Sequence, residues 1–200
     1  MSEHYYSKKP SVKSDPKEWK TDIRDKNFRF KTDAGVFSKG ELDFGSRLLA
    51  ESFQLPQVEG DLLDVGCGYG PIGLSIAASF PDRNVHMVDV NERALALAKG
   101  NAELNEIANV NIYPSDALSA VSGDRFAAVI TNPPIRAGKE TVFTIYQGAY
   151  SKLIPGGELW VVIQKKQGAP STSSKMEELF GNVETVAKSK GYFIFKSKKH

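Results

Sequence analysis

The sequence has little of what disulfide bonds and metal sites require. Its one cysteine, Cys67, excludes a disulfide within the chain, and His4, His86 and His200 are too scattered to suggest a metal cluster. We therefore expect no metal. No run of eighteen apolar residues occurs, so we expect no helix that spans a membrane.

A large net charge is also absent, since the whole chain carries only +2. The distribution is uneven: residues 1–40 carry ten Lys or Arg against six Asp or Glu, residues 41–164 carry eight against fifteen, and residues 165–200 carry eight against three. Basic ends around an acidic centre suit a cationic cofactor in the middle and a polyanion such as RNA at the rim. Lysine-rich ends that only keep the protein soluble are the alternative.

The N-terminal segment is polar and rich in lysine, and it has no apolar stretch that could serve as a signal sequence. We therefore expect a cytoplasmic protein. Residues 1–18 have too few apolar groups to hold a fixed conformation, so this basic segment is predicted to be disordered. Residues 19–200 are predicted to form a single domain, because a chain of this size can bury one good core.

From residue 60 onward, apolar segments of strand length alternate with longer segments of helical period. This order is typical of an α/β fold, a doubly wound and mostly parallel sheet with helices on both faces. The predicted strands are Asp61–Val65, Asn84–Val90, Val110–Tyr113, Phe126–Thr131 and Glu158–Gln164. The predicted helices are Pro71–Ser79, Glu92–Leu104, Lys139–Leu153 and Ser173–Phe180.

The end of the chain changes character and is predicted to be a hairpin. Val183–Lys188 and Tyr192–Lys196 are short, and a Ser-Lys-Gly turn separates them. Added to five alternating units, this hairpin predicts a seven-stranded sheet whose last strand is antiparallel to the others. Upstream, Trp19–Arg24 and Asn27–Thr32 predict a second, small β-hairpin at the front of the domain.

A glycine-rich turn follows the first strand of this sheet, in the sequence DVGCGYG at residues 64–70. Gly66, Gly68 and Gly70 let the backbone bend and a ligand lie close to it. With Gly73, the turn also fits the weak dinucleotide pattern G-x-G-x-x-G. Asp64 favours a nucleoside with a cationic group instead, since an anion there can orient an ammonium directly or through water.

Two further acids stand where parallel strands end. Asp89 is placed to accept hydrogen bonds from both ribose hydroxyls of a nucleoside, and its alternative role is to cap the helix after Asn91. Asp116 is expected to face the same crevice and accept from an adenine amino group. Its alternative role is to cap a helix over Ala117–Val121.

The turn Asn132-Pro133-Pro134, at the end of the fourth strand, is the most informative motif. An aromatic amine is a poor nucleophile, so an enzyme that alkylates it must accept hydrogen bonds from the N–H groups and hold the nitrogen in line. The Asn132 side-chain carbonyl and the Pro133 backbone carbonyl are predicted to be these acceptors, in a turn that the prolines stiffen. A rigid turn without chemistry is the alternative.

Together, the glycine turn and Asn132-Pro133-Pro134 resemble class I S-adenosylmethionine-dependent methyltransferases that modify amino groups. The upstream sequences GVFS at 35–38 and LDFGSRLL at 42–49 narrow the resemblance to the small-domain family. The resemblance covers about residues 30–196. Over this range the sequence is similar to the catalytic half of the bacterial enzyme that methylates N2 of a guanine in small-subunit ribosomal RNA. The resemblance implies a Rossmann-like fold, S-adenosylmethionine as cofactor and RNA as partner.

The resemblance and the motifs together define the expected site. The catalytic residues are Asn132, Pro133 and Pro134. The cofactor-binding residues are Asp64, Gly66, Cys67, Gly68, Gly70, Asp89, Val90, Asp116, Ala117 and Asn132, in which the Cys67 side chain only fills the turn. The substrate-binding residues are Phe37, Ser38, Ile135, Arg136 and Lys139.

This sequence departs from the family pattern in two ways. The family's RNA enzyme has a second, noncatalytic N-terminal domain without a counterpart here, which leaves the target nucleotide open. The residue after the prolines is usually an aromatic that stacks on the base, and here it is Ile135. Stacking must then come from elsewhere, with Phe37 as the candidate and an ordinary core position as its alternative role.

Other functions remain open from the sequence alone. Asn-Pro-Pro chemistry also serves adenine-N6 and protein-glutamine methyltransferases, although the latter usually carry an aromatic at the position of Ile135. A cytosine-C5 enzyme needs a nucleophilic cysteine near the fourth strand, which is missing. From other classes, an NAD-binding oxidoreductase and a noncatalytic RNA-binding module are the alternatives.

Overall fold

In a computed structural model, which describes residues 8, 12–38 and 40–200, the chain forms one large sheet, one hairpin and five α-helices. The strands are β1 Lys17–Ile23, β2 Lys26–Thr32, β3 Asp61–Val65, β4 Val85–Asp89, β5 Val110–Pro114, β6 Phe126–Thr131, β7 Leu153–Gln164, β8 Glu184–Ser189 and β9 Tyr192–Lys198. The helices are α1 Phe44–Ser52, α2 Pro71–Ser79, α3 Glu92–Leu104, α4 Lys139–Lys152 and α5 Ala169–Phe180.

The large sheet has seven strands in the order β5-β4-β3-β6-β7-β9-β8. Strand β3 pairs in parallel with β4 and β6, β6 pairs in parallel with β7, and β9 is antiparallel to both β7 and β8. The predicted seven-stranded sheet with an antiparallel last strand is therefore confirmed. The strand order reverses between β3 and β6, and in open α/β sheets ligands bind beyond the carboxyl ends of the strands at such a point.

Helices cover both faces of the sheet because successive side chains of its central strands point to opposite sides. Leu62 of β3 packs with residues of α1, α2 and α3, whereas Leu63 packs with residues of α4 and α5. Both leucines are fully buried. The two apolar cores hold the central strands rigidly and fix the positions at which their carboxyl ends emerge.

The regular elements agree closely with the sequence pattern, and most differences lie at their ends. Strand β7 begins at Leu153 instead of the predicted Glu158, and α5 begins at Ala169 instead of Ser173 because Pro170 is tolerated in a first helical turn. Helix α1 is the one α-helix that the sequence reasoning missed within the described part. It begins after Asp43, whose side chain accepts from the backbone N–H of Ser46.

The predicted N-terminal hairpin is confirmed, with Trp19 opposite Phe30 in the β1–β2 pair. It begins at Lys17, two residues before the predicted domain start. Residues 1–7 and 9–11 of the segment predicted to be disordered lie outside the described residues. At its end, the Ser14 hydroxyl donates to Asp33, with a distance of 2.8 Å between the oxygens. Within the described ranges, no helix is both long and apolar enough to cross a membrane.

Asn101 of α3 connects this hairpin to the glycine turn. Its side-chain amide donates to the backbone carbonyls of Lys31 and Tyr69, both at 2.9 Å, and its carbonyl oxygen accepts from the Lys31 N–H at 2.7 Å. The side chain is fully buried, so water cannot replace these bonds.

Replacing Asn101 by Ala should lower the free energy of unfolding by about 2–3 kcal/mol, because it leaves buried backbone groups without partners. Asn105 is a matched control, since it makes similar bonds to Arg29 from a half-buried position where water can substitute. Chemical denaturation should show a clearly smaller loss for Asn105→Ala. Equal losses would mean that Asn101 is not a special anchor.

Candidate active site

A deep cleft opens at the carboxyl ends of β3, β4 and β6, with a volume of about 840 Å³ including its mouth. It brings together three segments that the sequence analysis singled out: the glycine turn, the end of β4 and the Asn-Pro-Pro turn. The predicted residues that line it are Phe37, Gly66, Cys67, Gly68, Asp89, Val90, Ala117, Asn132, Pro133 and Pro134. Its remaining lining residues are Val36, Ser46, Val65, Tyr69, Pro71, Ile72, Asn91, Ala94, Ser115 and Ile145.

The glycine turn leaves open space on its cleft side. Gly68 has φ 57°, and a Cβ on it would meet no atom within 4 Å. A Cβ on Gly66 would lie 4.0 Å from the backbone carbonyl oxygen of Asn132, so the glycine turn and the Asn-Pro-Pro turn are adjacent. On the other side, a Cβ on Gly73 would come within 2.9 Å of the Asp64 carboxylate, so α2 packs closely on the sheet only with glycine there.

Asp64 lies behind the glycine turn, fully buried, and not on the cleft surface. Its Oδ2 accepts from the Gly73 N–H at 2.9 Å, while Oδ1 has no hydrogen-bond partner within the described residues. Burial raises the pKa of Asp64 to about 7, and the bond from Gly73 opposes this rise only in part. The sequence analysis expected Asp64 to orient an ammonium group either directly or through water. Because the carboxylate does not reach the cleft surface, this structure does not favour the direct contact.

Asp89 supports the glycine turn and faces the cleft at the same time. Its Oδ2 accepts from the Gly68 N–H at 2.8 Å, and its Oδ1 accepts from the Asn91 N–H at 2.8 Å. Burial raises the pKa of this carboxyl group, and these bonds partly oppose the rise. Asn91, and not Asp89, caps α3, because its side chain accepts from the N–H groups of Arg93 and Ala94.

Asp116 does not line the cleft as we expected. Residues 117–120 form a turn instead of the helix considered as an alternative, and Ala117 has φ 47°. The Ser115 hydroxyl oxygen accepts from the Ala120 N–H at 3.1 Å, which folds the turn over Ser115 and leaves Asp116 exposed. Ser115 and Ala117 line the cleft in its place.

Asn132 has a fixed side-chain orientation. Its Nδ2 donates to Ser46 Oγ at 3.0 Å and to Asp43 Oδ2 at 3.3 Å. Because the amide hydrogens are used by these two acceptors at the start of α1, the Oδ1 carbonyl is the group left to accept from a ligand in the cleft. The Thr131 hydroxyl donates to the Val65 carbonyl at 2.8 Å, which fixes the end of β6 against β3.

The two prolines line the cleft and are buried. The Pro133 carbonyl, which we expected to accept from a substrate, also accepts a hydrogen bond within the turn. The Pro133 carbonyl accepts from the Ile135 N–H at 2.9 Å, and the Pro134 carbonyl accepts from the Ala137 N–H at 2.9 Å. A carbonyl oxygen has two lone pairs, so Pro133 retains one for a substrate N–H.

Only one of the five predicted substrate-binding residues lines the cleft. Phe37 does so and is 40% exposed, which favours its predicted binding role over an ordinary core position. Ser38 donates to the Glu41 carbonyl at 2.7 Å and does not line the cleft. Ile135 and Lys139 line a separate groove, and Arg136 is exposed on the turn between them. The 3-10 turn Ile135–Ala137 turns these side chains away from the cleft.

Sequence reasoning missed Ser46, Tyr69 and Asn91 as site residues. Asp43 is a favoured N-cap residue and could have placed the start of α1, but it could not have predicted the contact of Ser46 with Asn132. Tyr69 is 2% exposed, and its hydroxyl lacks a hydrogen-bond partner within the described residues. Nothing in the local sequence predicts this orientation.

Comparisons with known proteins agree with this geometry. Residues 27–196 match the family described as methyltransferase small domain. The chain is 60% identical over 200 residues to the uncharacterized protein YbxB of Bacillus subtilis, covering all of both chains. It is 34% identical over 173 residues to the ribosomal RNA small subunit methyltransferase C of Erwinia tasmaniensis, covering 84% of this chain and 49% of the relative.

A solved structure is also similar: the Thermus thermophilus 16S rRNA N2 G1207 methyltransferase, in complex with AdoMet and guanosine. The TM-score is 0.82 at 26% identity, covering 96% of this chain and 52% of that one. The chain thus spans about half the length of these ribosomal RNA methyltransferases and the full length of the Bacillus relative.

The buried Asp64 predicts a distinctive pH dependence of stability in the ligand-free protein. Its folded pKa, about 7, is above the unfolded value of about 4, so the folded protein binds the extra proton between these pH values. Asp64 therefore makes stability fall as pH rises from about 4 to 7, by at most about 1.4 kcal/mol per pH unit.

In Asp64→Asn, the free energy of unfolding should no longer contain the part of its pH dependence that comes from Asp64. Above pH 7 the variant should therefore be more stable relative to the wild type than it is near pH 4, as measured by denaturation across this range. Asp116→Asn, at an exposed position, should keep the wild-type slope. An unchanged slope in Asp64→Asn would show that the carboxyl group titrates normally.

Proposed function

Because the chain belongs to the methyltransferase small domain family, we propose that it transfers a methyl group from S-adenosylmethionine to an exocyclic amino group of a base in ribosomal RNA. The proposed position is N2 of a guanine in the small subunit. The observation that carries the proposal is the orientation of Asn132, whose amide hydrogens bond to α1 while its carbonyl is left for the cleft. The family assignment replaces the NAD-binding oxidoreductase considered from the sequence.

The cleft fits S-adenosylmethionine by the chemistry of its lining. The open space at Gly68 is a cradle that a Cβ would fill, and the Asp89 carboxylate at the cleft can accept from ribose hydroxyls. Ile72, Val90 and Ala94 offer an apolar wall for a base. Asp64 would act on the ammonium group through water and through its charge behind the turn.

The residues of this chain would then activate and align an amine. When bound, S-adenosylmethionine supplies an electrophilic methyl group on a sulfonium sulfur. Asn132 Oδ1 and the Pro133 carbonyl accept from the N–H groups of the amine, which withdraws its lone pair from the ring and directs it at the incoming carbon. In the transfer the N–C bond would form as the methyl–sulfur bond breaks, the thioether product would leave, and the nitrogen would release one proton to solvent. Catalysis by this chain therefore rests on positioning and electrostatics.

Names of relatives support RNA as the substrate class. The Erwinia relative is named for small-subunit ribosomal RNA, and the Thermus structure holds guanosine. Phe37 is an exposed aromatic at the cleft that can stack on a base in place of the aromatic missing at Ile135. Methylation of adenine N6 or of a protein glutamine would use the same acceptors. Either product would change the proposed substrate and leave the proposed mechanism in place.

Asn132→Ala should reduce the methyl transfer rate constant by about 10²–10³-fold, because it removes an acceptor that acts mainly in the transition state. The dissociation constant of S-adenosylmethionine, measured by calorimetry, should stay within about twofold. Asn132→Asp keeps an acceptor but loses both amide bonds to the start of α1 and places a carboxylate beside Asp43, so its activity should lie between those of the wild type and Asn132→Ala. Full activity in Asn132→Ala would show that Asn132 is not an acceptor in the reaction and that the Asn-Pro-Pro sequence is only a rigid turn.

Ser46 is a positioning residue for Asn132 in this mechanism. Ser46→Ala should lower the rate constant about fivefold, as for one neutral hydrogen bond of about 1 kcal/mol, with cofactor affinity unchanged. In the Asn132→Ala background the same change should have no further effect, because there is no amide left to orient. Additive effects would assign Ser46 a role separate from Asn132.

The substrate itself is identified by methyl transfer to unmodified transcripts. Transcribed small-subunit RNA, large-subunit RNA and a reconstituted small-subunit particle would each be incubated with the enzyme, then digested for nucleoside mass analysis. The proposal expects N2-methylguanosine from the small-subunit RNA or its particle. Methyl groups on adenosine N6, or on a protein glutamine in the particle, would keep the mechanism and overturn the substrate.

A further inference from the structure

A second groove lies directly beside the Asn-Pro-Pro turn, and we call it the flanking groove. It runs between the 3-10 turn Ile135–Ala137, helix α4 and the start of α5. Pro134 lines the main cleft and its neighbour Ile135 lines the flanking groove, so the two sites share one turn. Consecutive Cα atoms are about 3.8 Å apart, which puts the groove within reach of a nucleotide adjacent to one in the cleft.

The flanking groove combines apolar and polar side chains. Ile135 and the half-buried Phe143 are apolar lining residues, and Gln167 and Ser171 are polar lining residues of the same groove. Ser171 donates its hydroxyl to the Gly168 carbonyl at 3.0 Å and keeps lone pairs as an acceptor. The exposed Gln167 side chain makes no hydrogen bond to the residues that the structure describes, so its amide can both donate and accept.

The charge at the groove is positive. Lys139 Nζ lies 5.1 Å from the centre of the Phe143 ring, and Lys175 Nζ lies 5.7 Å from it. Lys175 is neutralised by Glu178 at 2.6 Å, but Lys139 takes part in no ion pair among the described residues. Arg136 adds a second exposed cation on the shared turn. A polyanion is therefore the complementary occupant.

We propose that the flanking groove binds the nucleotide next to the target in single-stranded RNA. The inference rests on the proposed function. An aromatic ring, hydrogen-bonding side chains and an unpaired cation are the groups with which proteins hold unstacked nucleotides: the base lies on the apolar side chains, Gln167 meets its edge, and Lys139 meets the phosphate. Ile135 provides no aromatic ring that could stack on the target base. Binding of the adjacent nucleotide in the groove would position the target base instead.

The double variant Lys139→Ala with Gln167→Ala tests this binding, since both side chains are exposed and their loss should leave the fold intact. For methyl transfer to transcribed small-subunit RNA, KM should rise about tenfold or more while kcat and the dissociation constant of S-adenosylmethionine stay within about twofold. In direct binding of the same RNA, Lys139→Ala alone should reduce the slope of log affinity against log salt by about one.

Two exposed residues of the same types provide a matched control. Lys99→Ala with Gln147→Ala changes a lysine on α3, which packs on the opposite face of the sheet, and a glutamine on α4 outside the groove. This variant should keep the wild-type KM. Phe143→Leu, which retains apolar bulk but not the ring, should raise KM for RNA without changing cofactor affinity.

The outcomes separate this inference from the proposed function. If the wild type methylates RNA and the groove variants keep its KM, the flanking groove does not bind RNA and the proposed function stands. If the variants are impaired only on the reconstituted particle and not on naked RNA, the groove contacts a protein and the inference is overturned. A wild type that methylates no RNA overturns the proposed function and this inference with it.

Discussion

The parallel pairing of β3 with both β4 and β6 is the constraint on which the site depends. Val65 pairs with Val88 on one side and with Thr131 on the other, so the three strands end side by side. Each strand must reverse direction there, and the three reversals are the glycine turn, the end of β4 and the Asn-Pro-Pro turn. Because side chains alternate along a strand, a shift of one residue in either pairing would point the wrong residues at the cleft. The apolar cores on both faces fix this register, and they thereby fix the geometry of the chemistry.

Helix α1 adds a second constraint, because one carboxylate serves two purposes. Asp43 accepts from the Ser46 N–H and so caps the helix, and the same Oδ2 accepts from the Asn132 amide. The start of the helix therefore cannot move without disturbing the orientation of Asn132. Tyr192 of the last hairpin packs against Phe44, with ring centres 5.5 Å apart, and holds this end of α1 in place. The C-terminal strands thus contribute to the site without lining it.

What the sequence predicted, and what it did not, follows from the range of the interactions. Elements with strong periodicity, such as α3, were predicted to the residue, and motifs at the ends of central strands were predicted to converge because topology alone brings them together. The contact of Asn132 with Ser46 joins residues 86 apart in sequence, and no local pattern encodes it. The outward orientation of Asp116 depends on the turn that follows it, in which Ala117 is left-handed, and the sequence pattern does not reveal this turn. Side-chain orientation in turns is decided by such contacts, so motif positions are more predictable than what each side chain touches.

The basic C-terminus shows why charge counted along a sequence does not locate a binding surface. Lys199 Nζ donates to the carbonyls of Tyr150 and Leu153 at 2.8 and 2.7 Å, at the C-terminal end of α4, where a cation is stabilised by the unpaired carbonyls. Lys196 forms an ion pair with Glu184 at 2.9 Å. These two charges stabilise the fold and are not free to meet a polyanion. Lys139, by contrast, belongs to the acidic middle of the sequence, begins helix α4 and takes part in no ion pair within the described residues. Three-dimensional position, and not the charge of a segment, therefore decides which cations are available to a polyanion.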